Sequence, residues 1–215
     1  VTGSLVHYLA ADVLRSQRWV APLLAFLAGV AVSNAAGGPL LTTYADTATV
    51  LLPVSVWLTV AVANSEDPLQ AAITAVTVGG DLRLRLAKLL TAWTGCAFVA
   101  APAVLWPLVA RSYTGPAAGR DVAAGVAAHL LVALFGVGIG SLGMRAVLGR
   151  PGYTMLCATG LCLADVLVPH APPTRRILEL FDDAAVGGLA PVALGTAVLS
   201  AALIATSLGI ARRRS

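Results

Sequence analysis

Charge is what this chain has least of. Only 11% of its 215 residues are Asp, Glu, Lys or Arg, 58% are apolar, and the mean hydropathy is +0.87. Soluble domains carry about 25% charged residues. A chain this poor in charge cannot cover a water-facing surface, which excludes a soluble globular domain and points to an integral membrane protein. Lysine is nearly missing: Lys88 stands alone among the 14 basic residues, the rest being arginine. With heavy alanine and glycine usage, that bias suggests a high-GC, bacterial coding sequence. The three cysteines, Cys96, Cys157 and Cys162, have no CxxC spacing and no histidine cluster near them, so no metal site is expected. No phosphate-binding loop GxxxxGK followed by Ser or Thr occurs. If ATP drives this protein, another chain must bind the nucleotide and Mg and hydrolyse it. Ser141 lies in GVGIGSLG, where Ile139 stands in place of the first glycine of a nucleophile turn. Without a nucleophile–base pair or ligand cluster an intramembrane enzyme has no support. Few buried acids and no repeat between the two halves weigh against a proton-coupled carrier.

What is present is a series of apolar runs long enough to span a bilayer. Six are expected: Trp19–Gly37, Ala48–Ala63, Leu86–Ala110 (with Pro102 and Pro107), Val122–Leu142, Gly152–Val168 and Leu189–Ala211. The second and fifth are short for a hydrocarbon core of roughly 30 Å at 1.5 Å per residue. The segment before the first run, SLVHYLAADVLRSQRW, is too long and amphipathic for the charged region of a signal peptide, so no cleavable signal is expected.

Basic residues set the orientation. With both termini cytoplasmic, the inner segments hold Arg15, Arg18, Arg83, Arg85, Lys88, Arg145, Arg150, Arg212, Arg213 and Arg214. The outer loops hold only Arg111, Arg120, Arg175 and Arg176, nearly matched by Asp46, Asp121, Glu179, Asp182 and Asp183. The net charge of +4 needs no more than attraction to anionic lipid, and nucleic acid is not implied.

The loop between the second and third runs, residues 64–81, is the most informative stretch. Asp67-Pro68 reads as a helix start. Leu69, Ala72, Ile73 and Val76 then share one face, and Gly79-Gly80 ends the helix, with Asp81 able to cap the next. In DLRLRLAKLL, Leu82, Leu86 and Leu89 form a stripe, while Arg83, Arg85 and Lys88 can snorkel to the headgroups. The short helix therefore carries an apolar stripe in need of cover, by a cytoplasmic partner, by the membrane surface or by the chain's own spans.

Inside the spans, His129 lies about two turns below Asp121, roughly 12 Å along the fourth run, and Asp165 about one turn from the outer end of the fifth. Such residues are costly in lipid. They either satisfy themselves locally, a neutral His bonded to a neighbouring helix and an Asp reaching the interface, or line a polar pathway. Gly136 and Gly140 form a GxxxG pattern for close helix packing, within the chain or between two subunits. After Pro169, Pro172 and Pro173, the segment TRRILELFDDAAVGG is amphipathic, with Thr174 as its expected cap, and reads as a helix at the outer interface (169–188).

Taken together, the chain resembles a permease subunit of the type 2 ATP-binding-cassette (ABC) exporters. SLVHYLAADVLRSQRW (within 1–18) matches that family's leading amphipathic helix, with Leu5, Leu9, Val13 and Trp19 towards lipid and His7, Arg15 and Arg18 towards water or headgroups. NSEDPLQAAITAVTVGGDLRLRLAKLL matches its coupling segment, and PHAPPTRRILELFDDAAVGG its outer helices between spans five and six. The resemblance implies an all-α integral membrane protein of six transmembrane helices in one domain (1–215). It implies a dimer with a second copy or a paralogue, in a bacterial inner membrane, with both termini cytoplasmic. A separate cytoplasmic ABC-type ATPase would dock at Glu66, Asp67, Leu69, Ile73 and Val76. The cargo would be hydrophobic or amphipathic (a drug, an antibiotic or a lipid), facing apolar walls with Trp57, Trp93 and Trp106 available. The competing reading is a non-transporting membrane scaffold or sensor that docks a soluble partner.

Overall fold

The computed structural model describes residues 2–145, 147, 148, 151–168 and 173–214. Pro169, Pro172 and Arg150, invoked above, lie outside them. Apart from one isolated bridge between Pro39 and Thr114, the described residues form helices and turns only. In chain order the helices are α1 (Thr2–Ser16), α2 (Val20–Ala36), α3 (Leu40–Ala63), α4 (Pro68–Val78), α5 (Asp81–Ala110), α6 (Gly119–Ser141), α7 (Pro151–Leu167), α8 (Thr174–Asp182) and α9 (Leu189–Arg214), with a 3-10 turn at Val186–Gly188.

Four of the helical segments are long and apolar enough to cross a membrane: Leu40–Ala63, Asp81–Ala110, Gly119–Ser141 and Val186–Arg213. The α1–α2 pair passes the same test together, with a bend of 81° at the elbow, making up to five. Gln17 turns that elbow with a positive φ of 54°. The chain is thus all-α and built for a membrane. α2 and α7, at 17 residues each, fall below the length of the other four.

The centre of the bundle is α3, against which α2, α5, α6 and α8 pack. It begins at Leu40, eight residues before the expected second run, so that run is 24 residues long rather than short. Asp46, assigned above to an outer loop, is in its second turn. The segment TTYADT conceals the helix from a hydropathy reading. Two of its threonines keep their hydroxyls close to the helix backbone: Thr43 donates to the Pro39 carbonyl at 3.2 Å and Thr47 Oγ1 lies 2.9 Å from the Thr43 carbonyl. A polar composition therefore costs the backbone nothing here.

α6 meets α3 along small residues. A Cβ added at Gly136 would come within 2.5 Å of Ser55 Cβ, and one at Gly140 within 2.5 Å of Thr59 Cβ. The GxxxG pair is used inside the chain, against Ser55 and Thr59 of α3, and this seam cannot also serve a second subunit. Higher up, Gly125 leaves room for the ring of Tyr44, whose hydroxyl donates to the Val104 carbonyl of α5 at 3.1 Å.

Two surface helices sit otherwise than expected. The Leu5, Leu9 and Val13 face of α1 is buried against protein, not turned to lipid: Leu5 and Leu9 form a second small core with Leu84 and Ala87 of α5. α8 packs on α3 by burying Ile177 and Phe181 in the main core, rather than only lying at the interface. Its Thr174 is the first helical residue, not the cap; the Thr174 N–H is accepted by Asp165 Oδ2 at 3.3 Å.

Candidate functional site

The junction of α3, α4 and α5 gathers several hydrogen-bonded and ionic side chains. Asp67 caps α4, its Oδ1 accepting the Leu69 N–H at 2.9 Å, and Pro68 takes the first helical position. At the far end Gly79 adopts a left-handed φ of 86°, and the Gly80 N–H reaches back to the Ala75 carbonyl at 2.8 Å. Only glycine holds that conformation cheaply. The 11-residue helix is therefore fixed at both ends.

The inward face of α4, Ala71, Ala75 and Val78, packs on the small core of Leu5, Leu9, Leu84 and Ala87. Gln70 Nε2 donates to the Tyr8 hydroxyl at 3.0 Å, a second tie to α1. The opposite face stays open: Leu69 is 71% exposed, Ile73 62% and Val76 84%. Ala72 is exposed beside them. None of the described helices covers this stripe.

Behind α4 lies an ion pair that the sequence did not announce. Glu66 and Lys88 are both buried, with Nζ 2.8 Å from Oε2, close though off the hydrogen-bonding direction. Thr74 Oγ1 is 3.1 Å from Glu66 Oε1, and Lys88 Nζ is 3.5 Å from the Ala63 carbonyl. The expectation that Lys88 snorkels to headgroups is thus corrected, because a buried carboxylate offers it a nearer counter-charge. The stripe expected on Leu82, Leu86 and Leu89 is also rotated. Leu82 and Leu86 are exposed, whereas Leu84, Ala87, Lys88 and Leu89 face inward. Asp81 does not cap α5, since Gly80 holds that position; it pairs instead with Arg85 at 2.6 Å.

Asn64, the residue that ends α3, gathers the neighbouring segments. Its Nδ2 donates to Gly143 O and its Oδ1 accepts the Arg145 N–H, at 3.1 and 3.0 Å, while its own carbonyl accepts from Arg18 Nη1 at 3.1 Å. Together with Glu66, Asp81, Arg85, Lys88 and Arg145 it lines a cleft of about 300 Å³ at this junction. An asparagine at the end of a long apolar run was the one signal that could have marked this node.

His129 and Asp165 have separate partners. His129 Nδ1 donates to the Gly125 carbonyl at 2.7 Å, which in the neutral ring leaves Nε2 to accept from the Thr47 hydroxyl at 3.1 Å. The Tyr44 ring stands edge-on to it, centroids 6.0 Å apart. Asp165 instead holds the start of α8, and its Oδ1 has no hydrogen-bond partner among the described residues. Trp93 Nε1 is 3.5 Å from the Leu130 carbonyl of α6, whereas Trp57 and Trp106 are about half exposed on the helix surfaces. Among the described residues no group of three His, Cys, Asp or Glu could hold a metal ion.

Compared with family models, curated proteins and solved structures, the chain matches none of them.

Proposed function

We propose that this chain is the membrane-spanning permease subunit of an ATP-driven transporter of the type 2 ABC exporter kind, with α4 as the helix that docks a separate ATPase. In this reading α2, α3, α5, α6, α7 and α9 are six spans with both ends cytoplasmic, in a bacterial inner membrane. α1 lies along the cytoplasmic surface, and two permeases, identical or related, form the pathway. The cargo is hydrophobic or amphipathic. The ATPase brings its own ATP and Mg.

One observation carries the proposal. α4 is held rigidly by its two ends, its packed face and the Glu66–Lys88 pair, yet it leaves Leu69, Ile73 and Val76 open on the side away from the bundle. A helix fixed this firmly, with an uncovered apolar stripe, is suited to receiving a push and passing it on. Glu66 and Lys88 would convey that motion to α5, and Asn64 to α3 and the end of α6.

The test is affinity capture of the intact protein from mild detergent, with Ile73→Glu as the matched variant and mass spectrometry of the retained proteins. Ile73 is exposed, so the variant should fold and melt like the parent. An ABC-type ATPase retained by the parent and lost with Ile73→Glu is the expected result. An ATPase held equally by both would move the docking site off α4. A soluble partner of another kind, with no ATPase, would put the scaffold reading in its place.

A further inference from the structure

A crevice of about 810 Å³ lies between the α1–α2 elbow, α3 and α5. Val13, Leu14, Trp19 and Leu23 form one side, Leu58 and Val62 of α3 its floor, and Phe98 and Leu105 the other side. Thr91 and Thr94 are its hydroxyls, and both are hydrogen-bonded to carbonyls of their own helix, Thr91 to Ala87 and Thr94 to Leu90. The walls therefore offer no free donor, and only the two hydroxyl oxygens could still accept. Whatever lies there must be hydrocarbon along most of that length, because a polar group would be left largely unpaired.

Length and charge narrow the occupant further. From Thr91 to Leu105 the α5 wall rises roughly 21 Å at 1.5 Å per residue. One leaflet's hydrocarbon is roughly 15 Å deep, half of a typical core, so a whole acyl chain fits along the wall. The ends of the crevice differ. At the elbow Trp19 is anchored by its indole N–H to the Leu14 carbonyl at 3.1 Å. Beside it, Arg18 is held by the Asn64 carbonyl, two residues past the Val62 floor. An indole and a guanidinium at one end of a hydrocarbon slot match an amphiphile with an anionic head.

We propose that this crevice is a binding site for one anionic phospholipid of the bilayer, its acyl chain along α5 between Thr91 and Leu105 and its phosphate at Arg18. The site does not depend on the chain being a permease. It stands on the elbow, α3 and α5 alone.

The experiment is native mass spectrometry of the intact purified protein in mild detergent, with equal amounts of phosphatidylglycerol and phosphatidylcholine added back. The parent should retain phosphatidylglycerol in preference by roughly fivefold or more, the effect of about one basic residue at an anionic headgroup. Arg18→Gln should bring that preference close to one while some lipid of either kind still binds. Gly95→Phe should abolish both, since Gly95 lines the crevice and a Cβ there meets Leu58 at an ordinary 3.5 Å. If that variant melts early, Leu27→Trp fills the crevice from α2 instead. Equal retention of the two lipids by the parent would overturn the proposal, as would phosphatidylglycerol binding that survives the filled crevice. A dimer peak lost on filling, with no lipid bound in the parent, would assign the crevice to a second copy.

Discussion

Removing the Lys88 ammonium should loosen α4 far more than it disturbs the bundle. In Lys88→Met the Glu66 carboxylate stays buried without its counter-charge, in a wall where its side chain is 0% exposed and that of Lys88 only 7%. Breaking a buried pair from one side typically costs about 3–5 kcal/mol. At about 1.4 kcal/mol per factor of ten, that is roughly a hundred- to a thousandfold change or more in an opening equilibrium. The loss falls locally, because Glu66 immediately precedes the α4 cap while Lys88 is anchored in α5. Hydrogen–deuterium exchange of the intact protein in detergent should show the α4 amides exchanging faster by that order, while those of α3 and α6 change little. The paired replacement Glu66→Leu with Lys88→Met should recover most of the protection. It leaves no charge unpaired, and Thr74 keeps the Gln70 carbonyl as acceptor at 2.9 Å. Less than about a threefold change in α4 exchange for Lys88→Met would refute the clamp. So would a double replacement as damaging as the single one.

Three other substitutions probe the packing. Gly140→Leu should cost about 1–3 kcal/mol or more, because the new side chain would run into Thr59 on a core helix; a lowered melting temperature in detergent is the readout. Tyr44→Phe keeps the ring beside Gly125 but loses the hydrogen bond to Val104, so chemical unfolding should report a loss of about 0.5–1.5 kcal/mol. Asp165→Ala removes the acceptor at the start of α8 and should cost about 1 kcal/mol, seen as faster amide exchange confined to the first turn of that helix.

The class of the protein was legible in its composition, since a chain with so little charge has no means of facing water on all sides. Helix ends written in residue chemistry were legible too. Asp67-Pro68 and Gly79-Gly80 bound α4 because capping and left-handed turns are local, and α9 starts at Leu189 where the apolar run starts. The beginning of α3 was hidden. Hydropathy registers the threonines before Ala48 as polar, although Thr43 turns its hydroxyl back to the helix and Thr47 bonds His129 inside the bundle.

Which neighbour each face meets was decided only by the tertiary structure. A helical period shows that Leu5, Leu9 and Val13 share a side, but lipid and protein interior are equally apolar, so the pattern cannot tell one from the other. The GxxxG spacing announces a close approach; that it is to Ser55 and Thr59 depends on how α3 crosses α6. Lys88 reads as an interfacial basic residue on its own helix. It became half of a buried pair because the chain returns Glu66 to its side 22 positions earlier, and charge attraction at 2.8 Å outweighs the pull of the headgroups. Local periodicity and capping fix the elements of such a protein, while the choice between lipid, protein and a counter-charge is made by contacts distant in sequence.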